Sequence, residues 1–384
     1  MKLRQCKTIV ERRKLIEEKT KLHFESINIY PKGLEQAQLR NCENMIGAVQ
    51  IPLGIAGPLL VKGEEAKGEY FLPLATSEGA LVASVNRGCK AISLAGGVTV
   101  FSENAGMTRG PIFKTKNLKE SFQLKKWLEG HFDLLAQTAS STSSHIKLMD
   151  IFTKIVGRNV YIRFSYDTDE AMGMNMVTIA TDKIVKLIEE KTETVCLSLA
   201  GNFDTDKKPS WLNFILGRGR EVWVEALISE KIVKEVLKTT PQKIHQVVLD
   251  KCHLGSMISG SMGYNAHFAN IITSLFIALG QDVAHTVEGS LGVTATEITN
   301  GNLYLTVYLP DLPIGTVGGG TVLPSQKEAL KILGIEKENG KKNSQALAEI
   351  IGGAVLAGEL SLLAALAQGE LAGAHLSLAR GKNA

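Results

Sequence analysis

The chain alternates between short apolar runs broken by proline or glycine and longer stretches where apolar residues recur every three or four positions. Residues 1–40 are strongly charged, with Ile9, Leu15 and Leu22 as sparse apolar anchors, which predicts a helix or a partner-binding arm. Residues 46–74 change character. Pro52, Gly54, Gly57 and Pro58 punctuate their apolar runs, which predicts strands and turns. SEGALVASVNRGCKAISLAGG then predicts a helix with Ser77 as its cap. On it Val82, Val85 and Cys89 share one face, and Arg87 and Lys90 share another. Residues 117–156 carry helical patterning, VYIRFSYD alternates as a strand, and MNMVTIATDKIVKLIEEK runs into a helix. This mixture predicts a compact α/β module inserted between Arg109 and about residue 200. The Gly-, Ser- and Met-rich residues 255–263 open a long helix through NAHFANIITSLFIALG. LYLTVYLP reads as a strand, IGTVGGGTVLP as a glycine loop, and residues 344–378 as one or two helices.

Composition narrows the class. A length of 384 residues suggests two or three domains, and 44% hydrophobic with 21% charged content allows a large core. The net charge is only +4, and lysines alternate with acids, which argues against nucleic acid or a membrane surface as partner. The charged N-terminal stretch has no apolar centre and reads as neither a signal peptide nor a membrane anchor. The apolar tract between Ala346 and Ala374 is interrupted by Glu349, Glu359 and Glu370, so it reads as a buried helix rather than a membrane span. Cys6, Cys42, Cys89, Cys196 and Cys252 form no close pair, which predicts neither a disulfide framework nor a structural metal site and fits a reducing cytoplasm.

Candidate chemistry starts with SLAGNFDTDKKPSW, residues 198–211. Lys207 and Lys208 stand beside Asp204 and Asp206 in a run opened by Gly201 and closed by Pro209. The cluster suggests a cation held to meet a carboxylate, a phosphate or a developing oxyanion; a solvated turn is the alternative. Glu78, after FLPLAT, is either a helix cap or a proton donor. Asp282 follows an apolar helix, where an acid opposes the helix dipole and therefore calls for a partner cation or a function. His375 lies in an apolar stretch and serves either packing or proton transfer. In EAMGMNM, residues 170–176, the small glycine lets a flat ring or a pyrophosphate approach the backbone, unless the methionines are simply core. GTVGGGT, residues 315–321, is a phosphate-binding loop or a turn, and its spacing is not the dinucleotide fingerprint of a βαβ unit. Arg109 in MTRG offers a carboxylate clamp.

These blocks together resemble the catalytic portion of the 3-hydroxy-3-methylglutaryl-coenzyme A reductase family, closer to its eukaryotic and archaeal type. The resemblance runs from Glu43 to Arg380 through ENMIG, IPLGIAGPL, ATSEGALVASVNRGCKAI, MTRGP, AMGMNM, DKKP, GRGREVWVEA, NAHFANI, GQD, GTVGGGT and LAGELSLLAALAQG. It implies an α+β fold with a helical N-terminal segment, residues 1–45. A large α/β domain around a long central helix, residues 46–109 and 200–384, would bind substrate and CoA. A small cofactor domain, residues 110–199, would be inserted into it. The implied reaction is reduction of the thioester to mevalonate by two hydride transfers. Lys207 would stabilise the carbonyl oxygen, Glu78 would protonate the aldehyde oxygen, Asp282 would link the two, and His375 would protonate the CoA thiolate. Arg109, Asp206, Lys208, Lys251, Asn202 and Asn270 would contact the acyl substrate, and Arg87 and Lys90 the CoA phosphates. Glu170, Met172, Gly173, Met174, Asn175 and Met176, with Gly315, Thr316 and Gly318, would hold the nicotinamide cofactor, without any metal. The resemblance also implies a homodimer or homotetramer, with the active site at the subunit interface and ENMIG within it.

Several positions depart from the family. Glu170 is one methylene longer than the usual aspartate, and Ser144 stands where an arginine commonly meets the 2′-phosphate of NADPH, which opens the choice to NADH. Ala200 replaces a substrate-contacting serine, SGSMGYNAH is one residue short, and Gly381 occupies the place of a phosphorylated serine.

Overall fold

A computed structural model describes residues 3–336 and 342–369. Its strands, in chain order, are β1 (Leu53–Lys62), β2 (Lys67–Ala75), β3 (Val98–Arg109), β4 (Ile112–Lys114), β5 (Lys147–Val156) and β6 (Asn159–Asp167). They continue with β7 (Val195–Ser198), β8 (Arg218–Ile228), β9 (Gly263–Tyr264), β10 (Gly292–Thr299) and β11 (Asn302–Leu312). Strand β1 runs antiparallel to β2, from Leu53 opposite Ala75 to Lys62 opposite Lys67, and parallel to β3 at Val61 and Val98. Strand β3 joins two sheets. Its first part pairs with β8 as far as Gly106, and Met107–Arg109 then pairs with β6. On one side the order continues β8, β11, β10, β9, and on the other β6 carries β5 and β4, with β7 at the edge. Arg109 therefore sits where the two sheets meet, and the loop leading into DKKP is tied there by Thr108 Oγ1, which donates to the Asp204 carbonyl at 3.0 Å.

Each sheet has its own apolar core. One gathers Leu59, Val100, Val224, Val307 and Leu309 around the helix Asn343–Gln368. The other packs Phe113, Leu124, Ile162, Phe164, Ile184 and Ile188 between β6 and the helices Leu118–Gly130 and Met174–Thr192. On this ground we propose residues 110–199 as the inserted domain, with Met107 of β3 at its border.

Among the described residues the apolar C-terminal tract forms one helix, Asn343–Gln368, and 78% of its most apolar 18-residue window is buried in the fold. Its length and composition would suffice to cross a membrane, yet the chain packs strands and helices around it. Two of the interrupting glutamates are explained by their partners, and Glu370 lies outside the described residues. Glu349 accepts the backbone N–H of Glu65 and Ala66, at 3.0 and 2.6 Å. Glu359 accepts those of Ala266 and His267, at 2.9 and 2.7 Å, and the Thr294 hydroxyl at 2.6 Å. A buried carboxylate is tolerated when donors of this kind replace its water.

Three expectations are corrected. Ser77 does not cap the helix Leu81–Leu94; Ala80, at φ 72°, precedes it, and Glu78 lies in the exposed turn before, its N–H bonded to Thr76 Oγ1 at 2.9 Å. Residues 147–156 are strand, not helix, because they pair with β6 along their length; cross-strand pairing overrides local periodicity. Leu22 is no anchor, being exposed beyond the helix Ile9–Thr20, whereas Ile9 and Leu15 are buried.

The helix Leu81–Leu94 crosses the central helix so closely that a Cβ on Gly88 would lie 1.9 Å from the Ala357 carbonyl oxygen. Gly88→Ala should therefore destabilise the chain by about 1–3 kcal/mol through overpacking. Thermal unfolding followed by circular dichroism checks this, and an unchanged midpoint would contradict the close approach.

Candidate active site

The DKKP loop is held in a costly conformation. Asn202, Thr205 and Lys207 all have positive φ, at 59°, 52° and 56°, which non-glycine residues keep only when their surroundings impose it. Here the surroundings are polar and buried. Arg163 donates to the Asp204 carbonyl at 3.2 Å, to Asn213 Oδ1 at 2.8 Å and to the Gly217 carbonyl at 2.8 Å. The Lys207 N–H donates to Glu288 Oε1. With its backbone fixed, Lys207 places Nζ 2.7 Å from Asp282 Oδ2.

Asp282 does not oppose a dipole after all. The apolar helix Phe268–Leu279 ends at Gly280, in the left-handed region at φ 69°, and Asp282 caps the next short turn, Val283–His285, by accepting the Ala284 N–H at 3.1 Å. Partial burial alone would raise its pKa. The Lys207 hydrogen bond, the Ala284 N–H and the charges of His285 and Lys207 together outweigh burial and hold the carboxyl below its ordinary value.

Behind this pair lies a charged cluster. Arg218, with no exposed surface, bonds Asp206 Oδ1 at 2.9 Å through Nη2 and Glu288 Oε2 through Nη1. Its Nε donates to Thr108 Oγ1 at 2.8 Å, which ties the cluster to β3. His285 Nδ1 lies 3.2 Å from Glu288 Oε2. Glu288 is burdened by burial, but the His285 hydrogen bond and the Arg218 charge keep its pKa low. Asp311 behind it is pushed well above the usual carboxylate value, first by burial and then by the Glu288 charge, and it accepts the Asn213 amide at 2.7 Å. Asp206, His285 and Glu288 bring potential ligand atoms within 4.8 Å of one another. Arg218 already bonds both carboxylates, so a guanidinium supplies positive charge beside them.

Lys207 and Asp282 open onto a cleft of about 820 Å³, whose walls are Met172–Met176 on one side and Gly315–Thr321 on the other. The two segments are bound together. Ala171 and Val317 form a parallel bridge, Thr316 N–H donates to the Glu170 carbonyl at 2.8 Å, and Gln281 clasps Gly315 through both amide atoms at 2.9 and 3.0 Å. Gly318 and Gly319 have open space where a Cβ would stand, so a flat or phosphate-bearing group meets bare backbone there. The Glu170 carboxylate is engaged within the protein, by Thr316 Oγ1 at 2.8 Å and the Ser344 N–H at 2.7 Å.

The remaining candidates divide between places. Glu78 accepts from Asn270 Nδ2 at 3.3 Å. Arg109 Nη1 pairs with buried Asp204 at 3.5 Å. Lys208 is exposed, its Nζ 3.1 Å from the Asp206 carbonyl. Lys251 lines a second cavity, about 970 Å³, that reaches Pro209 at the end of the DKKP loop. Arg87 donates to Ser361 Oγ and its carbonyl, at 3.0 and 2.7 Å, while Lys90 on the same face is exposed. His375 lies outside the described residues. Sequence reasoning missed Arg218, Gln281, His285 and Glu288 as parts of the site. The available signals were a polar residue beside each recognised one: Gln281 precedes Asp282, and Arg218 sits in GRGRE.

An ammonium clamped by a carboxylate at the mouth of a glycine-walled cleft suits an oxidoreductase that reduces a polarised carbonyl. The family model described as hydroxymethylglutaryl-coenzyme A reductase matches residues 8–380, and the chain belongs to that family. It is 52% identical over 371 residues to the 3-hydroxy-3-methylglutaryl-coenzyme A reductase of Methanothermobacter thermautotrophicus, covering 96% of this chain and 93% of that one. It is 50% identical over 374 residues to the enzyme of that name from Pyrococcus horikoshii, covering 96% and 91%. Among solved structures, the class II 3-hydroxy-3-methylglutaryl-CoA reductase of Streptococcus pneumoniae bound to NADPH superposes with a TM-score of 0.68 at 20% identity, covering 94% of this chain and 97% of that one. At that identity the match speaks for the fold.

Arg218→Met should cost about 3–5 kcal/mol, because it strands Asp206 and Glu288 as buried or half-buried charges. Urea unfolding measures it, and a loss under about 1 kcal/mol would contradict the pairing. Asp282 should titrate below the ordinary aspartate value, so its contribution is complete above the ordinary carboxylate range and is lost as pH falls through the lowered value. Carboxyl-carbon NMR reads that midpoint directly.

Proposed function

We propose that the chain reduces 3-hydroxy-3-methylglutaryl-CoA to mevalonate. The balanced reaction takes one acyl-CoA, two NAD(P)H and two protons to mevalonate, two NAD(P)+ and free CoA. The supporting observation is the Lys207–Asp282 pair opening onto the cleft between Met172–Met176 and Gly315–Thr321. When bound there, the reduced nicotinamide supplies hydride. The residues of this chain do the rest. Lys207, its backbone fixed by Glu288, presents a cation to the carbonyl oxygen as negative charge builds on it. Asp282 holds that ammonium in place. Glu78 gives its proton to the aldehyde oxygen from the turn before the helix Leu81–Leu94, positioned by Asn270. His375 protonates the departing thiolate.

Arg109, Lys208 and Lys251, with Asn202 and Asp206, are the proposed acyl-binding groups. The cavity reaching from Lys251 to Pro209 supports this by adjoining the DKKP loop. Exposed Lys90 is the proposed CoA-phosphate contact, with Arg87 as its neighbour anchored on Ser361. NADPH is the first reading of the cofactor. NADH is the second, because Ser144 brings no charge and the next residue, His145, is held 2.8 Å from Asp169.

A homodimer or homotetramer in the cytoplasm completes the proposal. The outer face of the larger sheet supports assembly, since Leu53, Ile55, Phe101, Trp223 and Leu227 are exposed on β1, β3 and β8.

Absorbance at the nicotinamide band should fall only when the acyl-CoA is added, and parallel runs with NADPH and NADH identify the cofactor. Lys207→Ala should abolish this turnover while leaving the circular dichroism spectrum unchanged; near-normal turnover would overturn the assignment. His375→Gln should slow thioester reduction more than reduction of free mevaldehyde, which releases no thiolate. Equal losses on both would remove His375 from that role.

A further inference from the structure

His285 is a buried titratable group that the mechanism above does not use. It has no exposed surface and follows Asp282 on the turn Val283–His285. Its Nδ1 lies 3.2 Å from Glu288 Oε2. A carboxylate oxygen only accepts, so Nδ1 carries the hydrogen. Its Nε2 then faces two further carboxylates, Asp282 Oδ2 at 3.8 Å and Asp206 Oδ1 at 3.9 Å. Neither is within hydrogen-bond reach, and Nε2 is buried without a partner among the described residues. In a neutral ring this nitrogen would aim a lone pair at two anions. In an imidazolium it aims an N–H between two acceptors.

The local charge balance points the same way. Asp206, Asp282 and Glu288 face the ring, and Arg218 and Lys207 are the cations bonded to those three acids. Three negative charges thus meet two positive ones. Asp311, behind Glu288, is driven toward its neutral form by burial, and Asp204 is paired with Arg109. Arg163 is turned toward the Asn213 side chain and the Asp204 and Gly217 carbonyls.

We propose that His285 works as an imidazolium held between Asp206, Asp282 and Glu288, and so positions the Lys207–Asp282 pair. It is a positioning residue, since it reaches the reacting atoms only through Asp282. With the ring charged, Asp282 keeps its orientation and Lys207 keeps Nζ at the cleft mouth. With the ring neutral, Asp282 loses an attractive neighbour, and the ammonium is held less well when charge develops on the substrate. The role rests on the reading of Lys207 as the carbonyl-stabilising cation, whereas the protonation state can be tested without any substrate.

The first test is the ring-nitrogen NMR of the full chain labelled with 15N-histidine, at the pH of the assay. Both His285 nitrogens should carry hydrogen; a bare Nε2 would overturn the proposal. The second is His285→Gln, a neutral replacement that keeps a donor. The expected outcome is a fall of about tenfold or more in kcat, with KM for the acyl-CoA within about threefold. The pH profile of kcat should differ between parent and variant, over and above the limbs that Glu78 and His375 impose on both. Unchanged kcat with an unchanged pH profile would overturn the role, as would equal losses in kcat and in cofactor affinity. If the variant does not fold, the NMR measurement decides. If the parent chain fails to reduce the acyl-CoA at all, the proposed reaction falls while the NMR still decides the state of His285.

Discussion

Arg218 has no contact with solvent, yet it is bonded to two carboxylates and a threonine hydroxyl drawn from three parts of the chain. Thr108 comes from β3, Asp206 from the DKKP loop, and Glu288 from the segment after the apolar helix. A guanidinium suits this task because its planar fork of donors reaches several acceptors in fixed directions. Every bond it makes constrains the place where Lys207 must stand. Glu288, held by Arg218, takes the Lys207 backbone N–H, and Asp206 lies in the same loop. The positive φ at Lys207 is sustained by that arrangement. A buried ion network of this kind is weak ground for claiming extra stability, since desolvation offsets the attraction. Its value here is in position: it sets one ammonium against one carboxylate at the mouth of a cleft.

The cleft depends on close backbone approach. A Cβ on Gly315 would lie 2.2 Å from the Met172 nitrogen, and one on Gly280 would lie 2.3 Å from the Gly320 carbonyl oxygen. These glycines let the loop after β11, the segment before the helix Met174–Thr192 and the end of the helix Phe268–Leu279 converge. Gln281 then ties two of them together beside Asp282. The same economy of space governs the core, where Gly88 meets the backbone of the central helix. In both places glycine serves to remove volume, and of Gly315, Gly280 and Gly88 it is Gly280 whose left-handed φ, 69°, adds a second reason.

The membership of the chain in the hydroxymethylglutaryl-coenzyme A reductase family and the geometry of the site support each other, but they rest on different grounds. The family match follows from residue identity over nearly the whole chain. The geometry adds what identity does not carry: Glu170 is turned inward to Thr316 and Ser344, Arg87 is anchored on the central helix, and His285 closes a cluster of acids.

Local order determined much by itself. The period of apolar residues in MNMVTIATDKIVKLIEEK and the alternation in VYIRFSYD were enough for the helix Met174–Thr192 and for β6, because one face of each must be buried. The motifs DKKP, GQD and AMGMNM marked segments that the fold brings to one cleft, where Lys207 pairs with Asp282. Tertiary contacts decided the rest. Residues 147–156 became strand through pairing with β6, against their helical periodicity. Asp282 turned out to cap a turn rather than oppose a helix dipole. Glu78 found Asn270, 192 residues away, and Arg218 found Glu288, 70 away. No local pattern encodes such partners, because the energy of a buried charge is set by whichever groups the fold brings to within a few ångströms of it.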